Sequence, residues 1–159
     1  MDLQLIKKEF RSLQKIYTAI LITILVFSIA AIVVNKFVLP FIHVTKDLKL
    51  SFRYIIIFSL LGGIPFSYFI FESKNKKLIE GMNSLIEKFK IYKKNLIIKL
   101  VILESIATIA VVLFLLSRDI YLLSAPLIII ILLLVSMPTV NKLSNDLQLT
   151  DTELEELYQ

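Results

Sequence analysis

Two ionisable side chains stand inside a long apolar run of this sequence, Glu104 and Lys99 between Leu96 and Leu116. Glu104 lies eight residues past Leu96, about 12 Å along a helix at its rise per residue. An ionised carboxylate at that depth in a bilayer costs several kcal/mol, so the acid is expected to face other helices in its protonated form. Eight residues back from Phe71 lies Gly63, so Glu104 is level with Gly62, Gly63 and Pro65. A protonated Glu104 would donate to backbone freed by Pro65, or pair with Ser105, Thr108 or Thr23. Two uses fit such an acid: handling a proton or cation, or a structural hydrogen bond between helices. Lys99 is off the best facing position for Glu104 and is expected to snorkel to the nearer interface. Ser59, Gly63 and Ser67 recur every four residues, a small-xxx-small stripe that lets another helix come close. Packing within the chain is the plainer use of the stripe, and association with a second chain is the other.

The remaining inventory is thin. The chain has no cysteine, which excludes disulfides, thiolate metal sites and cysteine nucleophiles. Its one histidine, His43, lies between apolar runs and reads as a surface residue rather than a ligand. Nucleophile, base and metal ligands do not gather at one depth, so no catalytic, cofactor-binding or metal site is assigned and the expected role is non-enzymatic. The net charge of +5 comes from lysines at the ends of the apolar runs, a pattern of bilayer orientation and not a nucleic-acid footprint.

These residues are carried by apolar runs. Of the 159 residues, 57% are hydrophobic and 19% charged, more apolar than soluble domains. The apolar residues cluster at 16–34, 54–71, 96–116 and 120–137. Each run approaches the roughly 20 residues that a helix needs to cross about 30 Å of hydrocarbon. Backbone in lipid must satisfy its own hydrogen bonds, so an all-α bundle of four transmembrane helices in a single domain is expected. The first run lacks a small-residue cleavage site and is expected to be retained.

Lysine and arginine set the orientation. Twelve lie in the N-terminal arm, in the 72–95 connector and at Lys142, against five in the other two loops; Lys99 is within a span. The positive-inside rule then places both termini in the cytoplasm of a multi-pass inner (plasma) membrane protein.

The polar parts are also patterned. Leu3, Ile6, Phe10, Leu13 and Tyr17 share one helical face of the arm, with Lys7, Lys8, Arg11 and Lys15 around it. Such a segment continues into span one or lies along the inner leaflet, with membrane lipids as its partner. In the connector, Gly81 suits a helix end and Ser84 to Glu87 form a capping box, which predicts a cytoplasmic helical hairpin over 72–95. Pro40 is expected to end the first helix, Asp119 to cap span four and Pro138 to end or bend it. The tail 139–159 is acidic and carries a second capping box, Thr150 to Glu153. Leu5 to Phe10 and Leu85 to Phe89 resemble each other, each followed by a tyrosine, a hint of two similar hairpins.

Tyr92 to Lys99, Leu103-Glu104, Pro138-Thr139 and Asp146 to Leu149 resemble a family of small uncharacterised bacterial four-helix membrane proteins. The resemblance spans about the second half of the chain and implies a four-span architecture, with no activity attached. Leu103 to Ala107 is locally similar to the carboxylate helix of rotary-ATPase rotor proteolipids, where the glutamate carries a proton or sodium ion. Those proteins have glycine-rich inner helices and carry the acid on an even-numbered helix. This chain has three glycines and the acid on its third run. The leading expectation is an accessory or scaffold subunit, as a homo-oligomer or with a membrane protein partner. The alternative is proton or cation translocation by Glu104.

Overall fold

The computed structural model describes residues 2–37, 44–79 and 85–147. Pro40, His43, the Gly81 turn with Ser84 of the capping box, and the tail from 148 onward lie outside them. Helix α1 runs without a break from Asp2 to Phe37, so the basic segment before Tyr17 is the first part of the same helix. Helix α2 spans Lys46–Ile79 and α3 spans Leu85–Ser117. A single 3₁₀ turn, Ile120–Leu123, leads into α4, Ser124–Val135. A bend at Ser136–Thr139 then starts α5, Val140–Leu147. No strand occurs among the described residues. Among the described residues, three helices are long and apolar enough to cross a membrane. The pair 120–135 and 140–147, bent by 80°, makes a fourth if taken as one span.

The sequence explains these limits locally. Asp119 accepts from the backbone N–H of Tyr121 and caps the 3₁₀ turn. Arg118 just before it has φ 56, a left-handed residue that reverses the chain within two positions. Pro126 is the third residue of α4, where its missing N–H has no intrahelical partner to lose. Pro65 lies inside α2, and the helix continues through it.

α3 is the central helix. In its apolar window 44% of residues are buried, against 17% in α1 and 11% in α2, so the other helices pack around it. One core cluster joins Leu13, Tyr17, Leu100, Leu103, Leu133 and Leu143 at the lysine-rich end. A second, with Ala31, Ile56, Ala110, Val111 and Leu122, fills the opposite end. The outside is apolar too: Val26, Phe58, Leu61, Phe69, Val135 and others are exposed. An outer face this apolar is what a helix bundle presents to lipid.

Candidate functional site

Buried polar side chains occur at both ends of the bundle, and those at the lysine-rich end include Asn75, Asn95 and Lys99. On α3, Tyr92, Asn95 and Lys99 lie three and four residues apart and share a face. On α2, Tyr68, Phe71 and Asn75 do the same. The two helices run antiparallel, so the faces meet. Asn95 donates to Asn75 Oδ1 at 2.7 Å, and Phe71 meets Tyr92 edge to face, centroids 5.6 Å apart. The Lys99 ammonium sits 3.4 Å from the Tyr68 ring centroid and 5.2 Å from that of Phe71. Lys99 is 5% exposed. Two ring faces stand in for part of the hydration that the cation has lost. The expected reach of Lys99 to open solvent is replaced here by contact with these rings inside the bundle.

The bend after α4 completes the site. Ending a helix leaves carbonyls without partners, which is costly away from water. Neighbouring side chains take them up. The Tyr17 hydroxyl donates to Leu133 O at 2.7 Å, and Gln14 donates to Pro138 O at 3.1 Å, both from α1. Lys142 of α5 donates to Val135 O at 2.7 Å. The Ser136 hydroxyl donates to Leu132 O and lies 3.4 Å from both the Tyr17 and Tyr68 hydroxyls. α5 closes the end with Leu143 and Leu147 buried, and brings Asp146 within electrostatic reach of the Tyr92 hydroxyl. Burial pushes the Tyr92 hydroxyl up, and the charge of Asp146 adds to this. Burial also raises Asp146 above the usual carboxylate value, although Tyr92, Lys99 and Lys142 pull it down. Asn75 Nδ2 is buried without a partner among the described residues.

The opposite end carries an ion pair. Arg53 at the start of α2 grips Asp119 with Nε at 2.5 Å and a terminal nitrogen at 3.0 Å, and stacks 4.1 Å over the Tyr121 ring. Burial pushes the Asp119 carboxyl up, but Arg53 and the Tyr121 N–H outweigh it and hold the acid below its ordinary value.

The residues singled out from sequence lie between these ends. A Cβ on Gly63 would come 2.5 Å from Ile106 Cδ1, so α3 of the same chain occupies that position of the stripe. Ser67 is fully buried and donates to Ile64 O; Ser59 is more open and donates to Ile55 O. Both hydroxyls are satisfied within α2 and leave only small bulk to their neighbours. Glu104 is half-buried. Among the described residues it makes no hydrogen bond or ion pair with Ser105, Thr108, Thr23 or backbone near Pro65. Ser105, Thr108 and Thr23 are all exposed, and Ser105 donates to Val101 O. Among the described residues no three His, Cys, Asp or Glu side chains come together.

The arrangement can therefore hold a buried cation and seal a helix break, and it leaves one intramembrane acid unspent. The Lys99–Tyr68 contact and the Arg53–Asp119 pair were not anticipated. The first had a signal in the matched i, i+3, i+7 spacing of polar and aromatic residues on α2 and α3, and the second had none. The chain matches no family model, no curated protein and no solved structure.

Proposed function

We propose that this chain is a four-pass protein of the cell's inner membrane, with both termini in the cytoplasm, that serves as a non-enzymatic accessory or scaffold subunit. The distribution of lysines supports the orientation: the basic ends of α1, α2 and α3 meet at one end of the bundle, tied there by Lys93 and Glu9 at 2.5 Å. The fourth pass is 120–137. Its 3₁₀ turn and α4 cover roughly 26 Å, close to the thickness of the hydrocarbon core.

One observation carries the assembly reading. Glu104 is half-exposed and unpaired among the described residues, with Ser105 and Thr108 exposed beside it on α3. A carboxyl left against lipid costs several kcal/mol, so a second transmembrane helix that accepts its hydrogen bond is favoured at that face. Because Gly63 is already filled by Ile106, this α3 face, and not the α2 stripe, is the surface left for association. The partner is a second copy or another membrane protein.

The test uses the absence of cysteine. Val112→Cys, exposed on α3, should cross-link in membranes to a second copy or to a partner that co-purifies in mild detergent. Glu104→Leu should lower the cross-linked fraction at least threefold, since intramembrane hydrogen bonds contribute about 0.6–2 kcal/mol. Glu104→Gln should retain most of it. A monomer without co-purifying protein, unchanged by Glu104→Leu, would overturn the reading. Proton or sodium flux in proteoliposomes that is lost in Glu104→Gln would replace it with translocation.

A further inference from the structure

We propose that the groove between α1 and α3 at the lysine-rich end binds one anionic phospholipid from the surrounding leaflet. The groove encloses about 460 Å³. Its floor is apolar, built from Ile6 of α1 and from Ile86, Phe89, Ile97 and Ile98 of α3. Its rim carries Lys90, Lys93 and Lys94 against the single acid Glu9.

The stretch of the groove from Lys93 to Ile98 matches the levels of a lipid molecule, while Ile86 and Phe89 extend its floor toward the water. Ile97 and Ile98 are in the first turn of the apolar run, where acyl chains begin. Lys93 and Lys94 stand one turn earlier, about 5 Å nearer to water at helical rise, at headgroup height. Glu9 already bonds Lys93. Lys90 and Lys94 are exposed and make no hydrogen bond or ion pair among the described residues. The rim therefore holds two uncommitted ammonium groups around an opening whose floor suits hydrocarbon. Charge complementarity selects the occupant. A zwitterionic headgroup would bring its own ammonium against three lysines, whereas a phosphate with a neutral or negative substituent meets only favourable charge. A soluble anion would make no use of the isoleucine floor. The arm adds further positive field from Lys7, Lys8 and Arg11, which line a separate shallow surface on α1. The proposal rests on the bilayer placement and not on the assembly reading.

Native mass spectrometry of the full chain in mild detergent tests it, with phosphatidylglycerol and phosphatidylcholine added separately. One phosphatidylglycerol should be retained with a preference of roughly tenfold over phosphatidylcholine, about the effect of one to two lysines near a headgroup. The double variant Lys90→Gln/Lys94→Gln should abolish the preference. Lys7→Gln/Lys8→Gln should keep it. Ile98→Trp, which fills the floor and leaves the rim intact, should release the lipid while the helical circular dichroism is unchanged. Equal retention of both lipids would overturn the proposal. So would equal loss in the two lysine variants, or displacement of the lipid by free glycerol phosphate at matched concentration. None of these readouts depends on cross-linking through the Glu104 face.

Discussion

A buried ammonium over two aromatic rings behaves differently from a solvated one. Lys99 has lost most of its water, and the Tyr68 and Phe71 rings supply part of the compensation. Removing the cation and removing its ring are therefore unequal changes. Lys99→Met keeps the volume and discards the desolvation cost, so thermal stability in detergent should stay level or rise. Tyr68→Leu leaves the charge without its nearest face and should lower stability by about 1–2 kcal/mol. Equal destabilisation by both variants in a thermal melt would remove the cation–ring contact as a stabilising interaction. At this scale the sequence was only half readable. Lys99 and Glu104 stood out because a charge in an apolar run is conspicuous. Their partners did not, because a partner is a matter of helix rotation and register. Counting from span ends put Glu104 level with Gly63, yet Gly63 meets Ile106, two residues further on. Two residues are enough to turn a side chain toward a different neighbour.

Among the helices, α5 is held by a titratable contact. Its Asp146 lies within electrostatic reach of Tyr92 and Lys99 of α3, Lys142 of α5 and Glu72 of α2. Burial raises this carboxyl above 3.8 in the folded chain. The folded state then binds the proton more readily than the unfolded state. Its contribution is complete below pH 3.8 and is lost as pH rises through the raised value. Docking of α5 should thus tighten on acidification across the range just above pH 3.8, read as slower proteolysis within α5. Asp146→Asn should flatten that dependence. An unchanged slope in the variant would assign the titration to another group. Pro138 announced the bend before α5, because proline cannot continue a helix. The 3₁₀ turn at 120–123 carried no such sign: its residues Ile, Tyr, Leu and Leu read as the continuous apolar start of a span. The centrality of α3 was equally hidden. A helix packed on several sides has apolar residues around its whole circumference, and periodicity then says little about which face is inside.

For the whole molecule, run lengths and lysine placement made an all-helical, membrane-type architecture legible from the sequence. Tertiary contacts, which require helices distant in sequence to meet, were not legible. Sidedness is open to a direct check, since the chain has no native cysteine to confuse labelling. Lys46→Cys and Lys74→Cys are both exposed and sit at opposite ends of α2. An impermeant maleimide added to intact cells should modify the first, and the second only after the membrane is opened. The reverse pattern would invert the proposed orientation. The two ends also differ in chemistry. Hydrogen bonds to carbonyls and a ring-bound cation close the lysine-rich end, whereas a two-point grip between Arg53 and Asp119 closes the other.

That grip has a consequence for the order of assembly. Its halves are 66 positions apart in the chain, and Asp119 lies two residues beyond the end of α3. During synthesis the guanidinium of Arg53 has no carboxylate to grip until α3 is finished and the chain has doubled back through Arg118. The clasp is thus a late event in biogenesis, and a product stopped short of it holds that end of its second helix by apolar packing alone, with Ile56 in a cluster with Ala110 and Val111.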